Sequence, residues 1–387
     1  MTDPISLRAK ELQLPMRTTF KQASSVRNVG ESIWCEANRG KQTGLGEGCP
    51  RKYVTGENLG GAMNWLNTKI PEIQLGCRSL PGLKEWINNY RSEIDENPAA
   101  FSAIEIALVE LFAKEKKSSV EKLVGLNSPC RIYQYTGVLG DSSEKKYTAM
   151  AQRFFKMGFT DFKIKVNGAL DTDNKKLKIV HQLAAQNNIP EIRIRLDANN
   201  LWKGNVDAAI GHLSKLDYPI FGIEEPVAPK NYEALEKISS TLGVAVILDE
   251  SICNLNDLNR LDPVLNNYIA NIKVSRIGGL LRSLELIDAL KARDKKIIIG
   301  AHVGETSILT RAGMCAANAA GNHLVAQEGG FGLLLLEKEP VGPSLMIGPK
   351  GQIDLSNNYT IKTPEKIIEI PKENWSVGWG MRVLSGT

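Results

Sequence analysis

Residues 161–166 read Asp-Phe-Lys-Ile-Lys-Val. In a strand, side chains alternate between faces, so Phe162, Ile164 and Val166 share one face while Lys163 and Lys165 share the other. The apolar face predicts packing against helices. A lysine pair on an edge strand is simply solvated, but inside a closed barrel both lysines need partners. The residues downstream bear on that choice. Four more strand-like runs end on charged residues: Leu196-Asp-Ala-Asn199, Ile223-Glu-Glu-Pro226, Leu248-Asp-Glu-Ser251 and Ile272-Lys273. A barrel of parallel strands brings all five to one rim, where active residues sit at the carboxyl ends of strands.

Working outward, apolar segments alternate with amphipathic ones from Arg131 onward. Strands are predicted at Ile132–Gly137, Asp161–Val166, Glu191–Asp197, Ile220–Glu224, Ala245–Asp249, Asn271–Val274, Lys296–Ala301 and His323–Gln327. Eight strands with helix-sized spacers predict an α/β fold, a TIM-type (β/α)8-like parallel barrel spanning 126–342. An open doubly wound sheet is the alternative, but no GxGxxG follows the first strand. Residues 1–57 read as strands and turns, including Arg17–Phe20 and Glu31–Ala37. Residues 58–125 read as helical, with Phe101, Ile104, Leu108, Leu111 and Phe112 at helical spacing after an Asn97-Pro98 start signal. An α+β amino-terminal capping domain, 1–125, is therefore expected, with 343–387 packing back on it through Val377–Val383.

Composition narrows the function classes. The 387 residues are 42% hydrophobic and 24% charged, ordinary for a globular chain, and the net charge of +5 is spread without clusters. Neither a nucleic-acid nor a membrane partner is expected. The amino terminus lacks the apolar core of a secretory signal, and no apolar run approaches membrane-spanning length. The cysteines Cys35, Cys49, Cys77, Cys130, Cys253 and Cys315 are far apart with no CxxC pair, as expected of buried thiols in a cytoplasmic protein.

Asp197, Glu224 and Asp249 would stand on three successive strand ends. Buried together, three carboxylates need a cation, and oxygen ligands with no nearby His or Cys suit Mg²⁺, or else Mn²⁺. Each could instead cap the helix that follows. Lys163 and Lys165, side by side near such an ion, would lower each other's pKa and free one as a base. Lys273 comes four strands after Lys165, across the barrel. A base on each face of a planar intermediate lets a proton leave one side and return on the other, as in enolase-type sites, which pair a lysine or histidine base with Mg²⁺.

KIK at 163–165, LDAN at 196–199, IEEP at 223–226, LDES at 248–251 and IKVSRIGG at 272–279 resemble the muconate-lactonizing (muconate cycloisomerase-like) subgroup of the enolase superfamily. The resemblance implies Mg²⁺ on Asp197, Glu224 and Asp249, with Lys165 and Lys273 as the acid/base pair and Lys163 tuning Lys165. Asn199 and Glu250 become hydrogen-bonding neighbours of the ligands. It also implies a homo-oligomer, and mouth-closing loops at Phe20–Arg27 and Gly46–Glu57, where Phe20, Arg27, Arg51 and Tyr53 could meet substrate. The implied reaction is removal of the proton alpha to a carboxylate of a small substrate, giving an enediolate. Racemisation or epimerisation of an amino-acid derivative is the favoured outcome. Cycloisomerisation or β-elimination (dehydratase or o-succinylbenzoate synthase-like) is the alternative, and a non-catalytic binding barrel the remote one.

Two places depart from the pattern. Dipeptide epimerases of this family carry Asp-x-Asp after the eighth strand to hold the substrate's amino group, whereas this chain reads Ala326-Gln327-Glu328-Gly329-Gly330. Gln327 and Glu328 are thus candidate substrate contacts of a different kind. On the seventh strand, His302 is expected to be a pocket or structural residue, and Glu305 either to line the pocket or to serve as the first-turn acid of the helix that follows. The mandelate racemase branch pairs a histidine there with an aspartate on strand six, where Lys273 stands here.

Overall fold

A computed structural model describes residues 3–22, 25–130, 132–362, 367–370 and 375–384. The amino-terminal unit begins with an antiparallel sheet of β1 (Ser6–Gln22), β2 (Ser25–Arg39) and β3 (Gln42–Gly48), in that order. The helix Pro98–Glu115 lies on β3. Gly44, Gly46 and Gly48 recur every second residue on β3, while Ala99, Ala103 and Ala107 recur every fourth on the helix. These spacings match, at about 6.6 Å along a strand and about 6 Å along a helix. A Cβ added at those glycines would lie 2.0, 1.9 and 1.8 Å from the carbonyl oxygens of Ala107, Ala103 and Ala99 respectively. The helix and strand backbones are in direct contact, which side chains on β3 would prevent.

That helix starts at the predicted Asn97-Pro98, although Asn97 makes no side-chain cap. The Glu57 carboxylate does so instead, accepting from Ala99 N at 3.0 Å and Ala100 N at 3.1 Å. The same device recurs between the two units. Glu105 accepts from Leu280 N (2.9 Å) and Leu281 N (2.7 Å), and Glu47 from Thr306 N (3.1 Å) and Thr306 Oγ1 (2.6 Å). A buried carboxylate at a helix start satisfies donors that the helix leaves open.

Next come β4 (Ile132–Gln134) and eight parallel strands: β5 (Gly137–Leu139), β6 (Asp161–Lys165), β7 (Arg193–Asp197), β8 (Gly222–Glu224), β9 (Ala245–Leu248), β10 (Tyr268–Ile272), β11 (Lys296–Ile299) and β12 (Leu324–Gln327). They pair strictly in chain order from β5 to β12. Thr136 N, just before β5, donates to Gln327 O at 2.8 Å, so the first strand meets the last. The parallel barrel expected from the sequence is the fold.

Most strand ends lie within two residues of expectation, and two departures are informative. The run predicted as the first barrel strand, Ile132–Gly137, divides in two. Its front half, β4, pairs antiparallel with Gln352–Asp354 near the chain's end, and only Gly137 joins the barrel. Alternation alone does not name a strand's partner. The sixth strand is Tyr268–Ile272 rather than Asn271–Val274, because Val274–Ile277 turns helical directly after Lys273. At the carboxyl end, Gly378 N bonds to Ser118 O (2.9 Å) and Trp379 N to Glu110 Oε1 (3.0 Å), on the amino-terminal unit. No helix among the described residues is long and apolar enough to cross a membrane. Cys130 is exposed and Cys253 half-buried, unlike the other four cysteines.

Candidate active site

Register places the charged residues. In the ladder, Val138 stands opposite Lys163 and Lys163 opposite Arg195. One step further, Lys165 stands opposite Asp197 and Asp197 opposite Glu224. All these side chains except Val138 are buried, so the lysine face of β6 is the barrel interior and the edge-strand alternative falls away.

Among the described residues, each buried lysine and arginine of this rim has a partner. Lys163 Nζ lies 3.0 Å from Glu224 Oε1, 3.0 Å from Glu328 Oε2 and 3.3 Å from Asp197 Oδ2. Lys165 Nζ lies 3.0 Å from Asp197 Oδ2 and donates to Asn199 Oδ1 at 2.5 Å. Across the barrel, Lys273 Nζ is 2.7 Å from Asp249 Oδ2, and Arg276 pairs with Asp249 Oδ1. A fifth cation, Arg195, is fully buried. It reaches Asp161 Oδ1 at 2.8 Å, Glu328 Oε1 at 2.7 Å and Thr136 Oγ1 at 3.1 Å.

Burial works to lower the Lys163 pKa, but Glu224, Glu328 and Asp197 outweigh it and raise the pKa well above the ordinary lysine value. As it lies, Lys163 is a cation set among three carboxylates, two of which, Asp197 and Glu224, are the expected metal ligands. Burial also opposes ionisation of Asp197, yet Lys165 and Lys163 hold it well below the usual carboxylate range. Glu328 is lowered to about 2, burial being outweighed by Lys163 and Arg195. Its carboxylate is committed to the barrel wall.

Asp197, Glu224 and Asp249 therefore bring hard oxygen donors to three successive strand ends, the donor chemistry a divalent ion such as Mg²⁺ takes. As they lie, each faces ammonium or guanidinium groups. Among the described residues no three Asp, Glu, His or Cys side chains are gathered closely enough to hold a metal. The donor set fits such an ion in type and strand position.

Glu225 and Glu250 support this rim. Glu225, at φ 39°, accepts from Asp249 N (2.7 Å), Ser251 N (2.8 Å) and Ser251 Oγ (2.8 Å), and burial pushes its pKa up to about 7. It ties the strand end carrying Glu224 to the turn carrying Asp249. Glu250 is likewise raised to about 7 by burial, and its Oε2 has no partner among the described residues.

A cavity of ≈ 270 Å³ opens over these groups, and Lys163, Lys165, Asp197, Asn199, Asp249, Glu250, Lys273, His302 and Glu328 all line it. Burial, together with Lys273 and Arg51, depresses the His302 pKa well below its ordinary value, so the ring is neutral, and its Nε2 has no partner among the described residues. Other expected contacts do not reach the cavity wall. Glu305 bonds to His302 N and is raised to about 8 by burial, and Gln327 Nε2 donates to Tyr135 Oη at 2.8 Å. Arg27 pairs with Glu31 at 3.0 Å. Arg51 is buried, donating to Glu31 O (2.8 Å), Pro50 O (2.7 Å) and Val303 O (2.9 Å), so it joins the two units rather than facing substrate. The side chains of Phe20 and Tyr53 lie outside the described residues.

Sequence reasoning missed Arg195, Arg276, Glu225 and the apolar wall of the cavity. Arg195 carried a readable signal, standing two residues before Asp197 and so on the same strand face.

Relatives bear out this architecture. A hydrophobic dipeptide epimerase of Enterococcus faecalis is 27% identical over 359 residues, covering 91% of this chain and 96% of its own. An N-succinyl-L-Arg/Lys racemase of Bacillus cereus is 24% identical, covering 71% of this chain and 72% of its own. A crystal structure of the Enterococcus faecalis dipeptide epimerase, complexed with Mg and the dipeptide L-Leu-L-Tyr, superposes with a TM-score of 0.78. It shows 23% identity and covers 98% of this chain and 99% of that one. The model of the enolase C-terminal domain-like family matches residues 146–349, more than half of the sequence and most of the barrel. The chain belongs to the enolase C-terminal domain-like family.

Proposed function

We propose that this protein is an isomerase, a Mg²⁺-dependent racemase or epimerase of a small carboxylate, an amino-acid derivative being the favoured substrate. The carrying observation is the placement of Lys165 and Lys273, four strands apart and both lining one cavity, with Asp197, Glu224 and Asp249 on the strands between them. Asp197, Glu224 and Asp249 would hold the ion, which when bound supplies the positive charge that stabilises an enediolate. The chain's own residues do the rest. One lysine, in its neutral form, takes the α-proton as the C–H bond breaks. The other, protonated, delivers its proton to the opposite face, and the configuration inverts. Asn199 and Asp197 aim Lys165, while Asp249 aims Lys273. Lys163 keeps the carboxylate cluster neutralised. A lysine at both base positions supports the muconate-lactonizing branch within the family.

The test is α-proton exchange in heavy water with Mg²⁺ present, over a library of amino-acid derivatives and dipeptides. Lys165→Ala and Lys273→Ala should each lower interconversion about 10²–10⁴-fold, the contribution typical of a general acid or base. Full exchange in both variants would remove the lysines from the mechanism.

A further inference from the structure

A lysine on a helix surface ordinarily keeps its ammonium in water, but Lys176, on the helix Leu170–Gln186, is buried. Its Nζ reaches the loop that follows β6. There it donates to the main-chain carbonyl of Lys165 at 2.9 Å, and lies 3.2 Å from Asp173 Oδ1 and 2.7 Å from Asp141 Oδ1. An ammonium carries three protons, and three acceptors surround this one, which offsets its removal from water. β5 pairs with β6 only as far as Leu139 and Ile164, one residue short of Lys165, and Lys176 takes over at that point. Asp173, also buried, holds the same loop from the other side. It accepts from Asn167 N at 3.2 Å and Gly168 N at 3.0 Å, and His212 Nε2 lies 3.1 Å from its Oδ2. The short connection 166–169 is thereby clasped by one ion cluster. Lys273 is held differently: its carbonyl accepts from Ile277 N at 3.1 Å, within the helical turn that follows it.

We infer that Lys176 is a positioning residue for Lys165 and not for Lys273, fixing the strand end from which the first of the two bases enters the cavity. This rests on the proposed function for the roles of the two lysines, and on the hydrogen bonds above for the rest. Lys176, Asp173 and Asp141 do not line the cavity, so the cluster acts through the backbone of Lys165 rather than on substrate. Its effect is one-sided. A misplacement of about 1 Å in a reacting group costs about 10²-fold in rate. With a base on each face, loss of the α-proton from one stereoisomer depends on Lys165, and loss from the other on Lys273. Interconversion must slow equally in both directions, because the enzyme does not set the equilibrium. Escape of the α-proton into heavy water is free of that constraint.

The variants are Lys176→Met, which removes the ammonium, and Lys176→Gln, which keeps a donor for the carbonyl. Amide exchange in heavy water, without ligand, compares the segment 163–170 with the segment 271–279 around Lys273. Loss of the α-proton, with Mg²⁺ present, is followed on L-Leu-L-Tyr and L-Leu-D-Tyr, and on the two enantiomers of N-acetylleucine. Lys176→Met should speed amide exchange of 163–170 tenfold or more and that of 271–279 less than twofold, with Lys176→Gln between it and the wild type. In a pair on which the wild type acts, it should slow α-proton loss from one stereoisomer at least tenfold and from the other less than twofold. Should Lys176→Met not fold, Lys176→Gln carries the same comparisons. Equal effects on the two segments or on the two stereoisomers overturn the inference, as does unaltered amide exchange at 163–170. If the wild type takes the proton from none of the four compounds, the amide comparison alone decides the positioning, and that result counts against the proposed reaction.

Discussion

Glu105 is the sharpest point at which to perturb this molecule, because it ties the capping unit to the loop that follows Lys273. Its carboxylate accepts the backbone N–H groups of Leu280 and Leu281 at 2.9 and 2.7 Å, and a Cβ on Gly279 would come within 2.5 Å of Oε2. Burial raises its pKa from 4.5 to about 7, against the pull of those two donors. A native-state value above the unfolded one means that the folded protein holds this proton longer than the unfolded chain does. Its contribution to stability is therefore complete below about pH 4.5 and is lost as the pH rises toward 7. At about 1.36 kcal/mol per pH unit the loss amounts to about 3 kcal/mol. Glu105→Gln carries no proton to lose, but offers one acceptor to two donors, which costs about 1–3 kcal/mol at low pH. Urea unfolding of both proteins at matched ionic strength should show the variant weaker near pH 4.5. The gap should narrow by about 3 kcal/mol toward pH 7.5, so that the variant equals or exceeds the wild type there. Taking the difference between the two proteins cancels every titrating group they share. A gap that stays constant across this range would refute the argument.

Three further outcomes are expected. Mg²⁺ should raise the unfolding free energy by about 2.7 kcal/mol at a hundredfold excess over its dissociation constant, and Asp197→Asn or Glu224→Gln should abolish the effect in a thermal-shift titration. A wild type indifferent to Mg²⁺ would sink the metal assignment. Gly48→Ala places a Cβ 1.8 Å from Ala99 O, a backbone atom with nowhere to retreat, so chemical unfolding should show a loss of about 3 kcal/mol or more; a loss below 1 kcal/mol would mean the helix is free to shift. Arg311 and Glu121 pair at 2.5 Å with both side chains fully buried, so Arg311→Leu alone should cost about 3–5 kcal/mol by stranding Glu121. Adding Glu121→Gln should recover most of that in a double-mutant cycle, and strict additivity would show the pair to be uncoupled.

The barrel was legible in the sequence because its strands end on charge. Lys163, Lys165, Asp197, Glu224 and Asp249 each follow an apolar run and face inward, a pattern that neither an exposed edge nor a plain core produces. The true partner of Ile132–Gln134 was not legible, since strand pairing joins it to Gln352–Asp354, more than two hundred residues away. The apolar wall was hidden for another reason. Nothing in the spacing of Met150, Phe154 and Met157 separates a cavity wall from helix packing, and only the segment after the eighth strand completes that wall. The surroundings of Lys163 were only half legible, because the sequence displays its neighbour Lys165 but not Glu328, which comes to it from the segment after the eighth strand.

The hydrogen-bonded run from Thr136 through Asp161, Arg195 and Glu328 to Lys163 bears on how such a protein could acquire a new substrate. Position 328 sits beside the reacting centre and looks like a natural place to vary, yet changing it strips the fully buried Arg195 of one of its two carboxylates and Lys163 of one of its three. Such a variant would suffer a folding defect before it showed any new preference. The flank of the helix Glu144–Met157 that walls the cavity is under no such constraint. Met150, Met157 and Arg153 take part in no internal ion pair among the described residues, so exchanging them leaves no stranded charge behind. Adaptation to different ligands is therefore channelled to that flank, while the rim beneath it stays fixed by its own electrostatics.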